Sequence, residues 1–115
     1  MTPTLVEIVT TVATEDDAAR IARELVETTA VACASFFAVR SVYTWKGATC
    51  DEVEHQIVCK VREKDAEDVE RRLAELHPYE TPAILRVPVL RANQAFAAWV
   101  EESAGEDSSS GGDAE

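Results

Sequence analysis

Residues 30–62 read AVACASFFAVRSVYTWKGATCDEVEHQIVCKVR, and this stretch decides the fold. Its first half, Ala30 to Trp45, is dense in β-branched and aromatic residues, which suit a pleated, half-buried surface. Lys46-Gly47-Ala48-Thr49 follows as a turn. From Val53 the residues alternate: Val53, His55, Ile57, Cys59 and Val61 share one face, while Glu54, Gln56, Val58, Lys60 and Arg62 share the other. The stretch is read as one long β-hairpin.

Working outward, Val6 to Val12 is a β-branched run that predicts a first strand. Thr14 and Asp17 form a capping signal, and Glu15, Asp16 and Asp17 load negative charge where the helix dipole favours it. Ala18, Ile21, Ala22, Leu25 and Val26 then recur at helical spacing, so a helix is expected to end near Thr29. Beyond the hairpin, Asp65 and Asp68 form a second capping signal. Ala66, Val69, Leu73 and Leu76 give a second apolar stripe, which Pro78 stops. Ala83 to Leu90 predicts a fourth strand whose Pro88 marks an edge or a bulge. Asn93 is placed to cap a short last helix presenting Phe96, Trp99 and Val100. The order β-α-β-β-α-β is the split β-α-β, ferredoxin-like arrangement of the α+β class, with both helices on one sheet face. Residues 1–102 are read as one domain, and 103–115 (SAGEDSSSGGDAE) as an acidic disordered tail.

That hairpin is longer than two such helices can cover, by the ordinary rises per residue. Its outer part carries Phe36, Phe37, Val39, Val42, Tyr43 and Trp45. Exposed apolar material and long strand edges call for closed self-association, a homotrimer being one closed ring.

Composition narrows the function classes. The 115 residues carry a formal net charge of −11, with Lys46, Lys60 and Lys64 the only lysines. Such a surface repels phosphate backbones and anionic lipid, so neither nucleic acid nor membrane is an expected partner. Scarce lysine beside abundant acid points to a salt-rich, halophilic cytoplasm. Met1-Thr2-Pro3-Thr4 has no basic segment leading into an apolar run, and the longest uncharged run, Thr28 to Val39, is too short to span a bilayer. Cys33, Cys50 and Cys59 are odd in number without C-x-x-C spacing, which fits reduced thiols. No serine has a base partner, and no phosphate loop or dinucleotide fingerprint occurs, so a binding protein is expected rather than an enzyme.

Two runs stand out further. Ser41-Val42-Tyr43-Thr44-Trp45-Lys46-Gly47 is an S-x-Y-x-W-x-G string, and His77-Pro78-Tyr79-Glu80-Thr81-Pro82 an H-P-Y-E-x-P string. With Ala32-Cys33, Lys60 and Trp99 in their order, the chain from Ile8 to Glu102 resembles the CutA family of divalent-cation tolerance proteins. The resemblance implies a ferredoxin-like subunit in a tight homotrimer, similar in architecture to PII-type signalling proteins, with a role in tolerance of copper and other divalent metals. It also implies ligand positions, a cysteine late in the first strand and two histidines before the proline. Here Thr10 and Thr11 stand in the first place, and Leu76 precedes His77 in the second.

His77 and Cys33 are the candidate metal ligands, donors that suit copper or another divalent cation. Their plainer alternatives are a histidine closing the second helix and a cysteine filling a buried strand. His55, among apolar neighbours, reads as a core or interface residue. Tyr43 and Trp45 share one face at period two. With Lys60, His77, Tyr79 and Glu80 they are expected to wall a cleft between subunits. One ammonium and one carboxylate there would suit a small anionic or zwitterionic ligand.

Overall fold

The structure, a computed structural model, describes residues 4–105. Its elements are β1 (Leu5–Val12), α1 (Glu15–Thr28), β2 (Val31–Trp45), β3 (Ala48–Arg62), a 3-10 turn (Glu63–Asp65), α2 (Ala66–Leu76), β4 (Ile84–Pro88) and α3 (Gln94–Gly105). The strands form one sheet in the order β2-β3-β1-β4, every neighbouring pair antiparallel. This is the ferredoxin-like fold that the hairpin and its flanks predicted.

Local chemistry accounts for most element ends. Thr14 caps α1, its side chain accepting the Asp17 N–H at 3.0 Å. The hairpin turns through two residues, Lys46 (φ 52°) and Gly47 (φ 79°), with Trp45 paired to Ala48. Positive φ at both central positions is the primed turn whose twist matches the flanking strands. The turn is therefore tighter than the four residues expected, and β3 begins at Ala48 rather than near Val53. At α2 the Asp65 side chain makes no capping bond, because Arg62 holds its carboxylate at 2.6 Å. The 3-10 turn leads into the helix instead. β4 is an edge strand, which is where Pro88 costs the ladder least. α3 continues to Gly105, three residues past the expected boundary at Glu102. The remaining part of the expected tail, 106–115, lies outside the described residues.

Val6, Ile8 and Val12 of β1, Ile57, Cys59 and Val61 of β3, and Val31 of β2 form the core with Ile21 and Leu25 of α1 and Val69 and Leu73 of α2. Each such side chain, fully buried, contributes about 1.5–3 kcal/mol. The opposite sheet face is covered at one end only. There α3 lies against β2 and β3, Leu5 and Val100 are buried outside the main core, and Arg62 reaches Glu101 at 3.1 Å. Towards the turn nothing among the described residues covers the strands. Phe37, Val42, Tyr43, Trp45 and Val53 are exposed, Val42 by 66% and Trp45 by 58%. Phe37, Tyr43 and Trp45 lie on the face that α3 covers at its other end, whereas Val42 and Val53 lie on the face of α1, where lengths explain the exposure. Fifteen residues of β2 run about 50 Å at ~3.3 Å each. Fourteen residues of α1 run only about 21 Å at ~1.5 Å each.

Candidate functional site

The uncovered face of the hairpin meets the loop after α2 at a cavity of about 440 Å³. Tyr43 and Trp45 of β2, Glu54 of β3, Thr11 of β1, and Tyr79, Glu80, Thr81 and Ala83 after α2 line it. Four of the expected cleft residues, Tyr43, Trp45, Tyr79 and Glu80, therefore come together within one chain.

Hydrogen bonds hold the walls. The Tyr79 hydroxyl donates to Glu54 Oε2 at 3.0 Å, tying the loop to β3. The Tyr43 hydroxyl donates to Glu52 Oε1 at 2.8 Å across the hairpin. Both phenols are pushed up to about 12, Tyr43 first by its bond to Glu52 and Tyr79 first by burial and then by Glu54. They remain neutral donors throughout the physiological range. A cation stands near Trp45: Lys46 Nζ lies 5.7 Å from the Trp45 ring centroid.

His77 supports this wall from behind. It is 8% exposed, and both ring nitrogens are engaged. Nδ1 accepts the Tyr79 N–H at 3.1 Å, so the proton sits on Nε2. Nε2–H points between the Thr11 carbonyl at 3.1 Å and Thr10 Oγ1 at 3.0 Å. The Thr10 hydroxyl in turn donates to the Ala83 carbonyl at 2.7 Å. Burial lowers the His77 pKa, which keeps the ring neutral and its bonds intact. The ring also stacks at a tilt on Tyr79, centroids 4.9 Å apart. In this network His77 has no lone pair left for a metal. The position where the resemblance implies a cysteine is filled by Thr10, as a hydrogen-bonding partner.

Two expected members stand elsewhere. Lys60 pairs with Glu7 at 3.4 Å, six residues along β3 from Glu54, about 20 Å at ~3.3 Å per residue. Within one chain the lining is therefore acidic and aromatic, without the ammonium expected of the cleft between subunits. Cys33 sits opposite Lys60 on the open face, four residues along β2 from Phe37, which is level with Thr11. That is about 13 Å along the strand, so the structure does not unite Cys33 with His77. Among the described residues no group of three or more His, Cys, Asp or Glu side chains is placed to hold a metal ion. Cys59 is buried in the core, its thiol pushed up to about 12 by burial, and is chemically quiet. His55 is half-buried between Val53 and Ile57 on the helix-side face, its Nδ1 without a hydrogen-bond partner.

Glu54 and Glu52 were not anticipated as site residues. A signal for them exists in the turn. Once Lys46-Gly47 is read as a two-residue loop, Tyr43 pairs with Cys50, and Glu52 and Glu54 fall on the face of Tyr43 and Trp45.

The chain matches the family model described as CutA1 divalent ion tolerance protein over residues 6–103. The divalent-cation tolerance protein CutA of Thermotoga maritima is 33% identical, the match covering 86% of this chain and 98% of that one. CutA from Synechococcus elongatus PCC7942 superimposes with a TM-score of 0.86 at 31% identity, covering 90% of this chain and 92% of the other. The periplasmic divalent cation tolerance protein CutA from Archaeoglobus fulgidus gives a TM-score of 0.82 at 28% identity, covering 87% and 98%. With its fold, its two diagnostic runs and these matches in agreement, the chain belongs to the CutA1 family of divalent ion tolerance proteins.

Proposed function

We infer that this chain serves tolerance to divalent cations, copper among them, as a homotrimeric binding or scaffold protein that works through the Tyr43–Trp45–Tyr79–Glu80 cleft. One observation carries the reading: the S-x-Y-x-W-x-G run and the H-P-Y-E-x-P run, 29 residues apart in the chain, line the same cavity. A turn requires neither Tyr nor Glu, so their convergence argues for a site. The uncovered apolar hairpin supports self-association. The engagement of both His77 nitrogens favours the cleft over a copper centre at His77, and Cys33 is the soft donor left to weigh against it. No described helix is long and apolar enough to cross a membrane. A salt-rich cytoplasm is the compartment that the charge of −11 favours, with stability rising as ionic strength screens repulsion. A melting temperature that falls with added salt would remove that part of the reading.

A second reading, a small-molecule sensor resembling PII-type proteins, draws on the Tyr79–Glu54 bond. A ligand entering the cavity meets the one tether between loop and hairpin that the cavity wall contains. Complementation tests the main reading. In cells lacking this protein and challenged with copper, the wild type and Cys33→Ala are expected to restore growth, whereas Tyr79→Ala and Trp45→Ala are not. Loss of tolerance with Cys33→Ala, and retention with both cleft variants, would move the function to the thiol.

A further inference from the structure

The sheet order β2-β3-β1-β4 leaves two free edges, and exposed apolar side chains lie towards both. On the hairpin they are Phe37, Tyr43 and Trp45. At the far edge they are Leu85 and Val87 of β4, with Leu90 just beyond the strand 89% exposed. Arg86, between Leu85 and Val87, turns to the helices and bonds Glu70 of α2. Leu85 and Val87 therefore share the sheet face of the hairpin rings. Unlike patches towards opposite edges are what a closed head-to-tail ring joins, one patch of each subunit against the other patch of the next.

Charge says which groups meet in that contact. Glu54 and Glu80 stand beside the hairpin rings, Glu54 bonded by Tyr79 and Glu80 without an ion pair among the described residues. Closing a neighbour over carboxylates is costly unless that neighbour brings a cation. Among the described residues every arginine except Arg91 is ion-paired within its own chain. Lys60 is held by Glu7, Lys46 belongs to the hairpin tip, and Lys64 stands in the 3-10 turn leading into the helix layer. Arg91 is exposed beside Leu90, past the end of β4 at Pro88. We propose that Arg91 of the partner subunit enters the cleft and pairs with Glu80, with Leu90 of the partner subunit seated against the Tyr43 and Trp45 rings. The inference rests on the self-association set out above. A guanidinium suits the place, because it stacks on ring faces while its edge bonds a carboxylate. The positive charge expected in the cleft then comes from a second chain, and the cleft is complete only in the assembly.

The test uses the full chain. Urea unfolding, at one protein concentration and one salt concentration, is followed for wild type, Arg91→Glu, Glu80→Arg and the two substitutions together. Each single reversal is expected to lower the midpoint, Glu80→Arg doing so although it reduces the net negative charge. The double variant is expected to regain most of the loss, which two independent surface changes would not do. Carbodiimide coupling of Arg91→Lys gives a second readout. The introduced amine is expected to link to Glu80 of another chain, giving covalent dimers in excess of wild type and a cross-linked peptide that joins the two positions. Additive effects of the two reversals, with coupling confined to acids outside the cleft, would overturn the pairing. Sedimentation equilibrium separates that failure from the wider one: an assembly that persists keeps the self-association, whereas a monomeric wild type takes down both.

Discussion

At its base the β2–β3 hairpin sets Val31 against Val61, both buried beneath the helices, whereas near its turn it sets Val42 against Asp51 and Trp45 against Ala48 in the open. The two regions are written in similar residues, β-branched, aromatic and alternating. What separates them is the reach of the helices, about 21 Å of α1 against about 50 Å of strand. Apolar character makes the base a core and the tip a surface awaiting a partner or ligand. The same side-chain types therefore stabilise the fold in one half and are left exposed in the other.

The largest expected effect falls on the tip. In a closed trimer, burying Trp45 contributes about 1.5–3 kcal/mol at each interface, and the loss is repeated three times. Trp45→Asp also buries an unpartnered charge, so sedimentation equilibrium at fixed salt is expected to show a dissociated or aggregated species. A wild type that is monomeric at micromolar concentration would reduce the contrast to one of exposure alone. At the base, Ile57→Ala opens a cavity in a fully buried site and is expected to cost about 2–5 kcal/mol in denaturant unfolding. A cost below about 1 kcal/mol would mean that base and tip are packed alike.

His77 joins the two regions, since it fixes the loop of the cleft to β1. His77→Ala strands the Tyr79 N–H and the Thr11 carbonyl and is expected to cost about 1–3 kcal/mol. Its pH dependence follows from the lowered pKa. The unfolded chain takes up a proton near the ordinary histidine value of about 6.5, before the folded chain does. The contribution of His77 is therefore complete above that pH and is lost as pH falls below it. Wild type is expected to lose more stability than His77→Ala between pH 7 and pH 5, and equal losses would contradict a buried neutral ring.

The smallest effect is spectroscopic. Tyr43 and Tyr79 are the only tyrosines of the chain, and both phenols are pushed up to about 12. Phenolate absorbance of the folded protein is expected to rise near pH 12, and that of the unfolded chain near about 10. The stability linked to both phenols is full below about pH 10 and lost as pH climbs towards 12. A folded midpoint near 10 would show that the Tyr–Glu bonds do not persist, and the cleft would then be as open as the rest of the tip.

Element order, the hairpin and its two faces, the Thr14 cap and the edge position of β4 were legible in the sequence because each rests on a local signal. Period-two alternation, helical spacing, a capping residue and a proline act over a few residues. The S-x-Y-x-W-x-G and H-P-Y-E-x-P runs likewise carried the family. The composition of the site depended on tertiary structure. Tyr79 meets Glu54 across 25 residues, and His77 meets Thr10 across 67, through a register and a crossover that no local pattern encodes. Lys60 illustrates the difference. Its face could be read from alternation, but its neighbour Glu7 belongs to another strand, and only the pairing of β1 with β3 draws it away from the cleft. Identity and face are properties of a segment, whereas the charge of a cavity is a sum over segments brought together by folding.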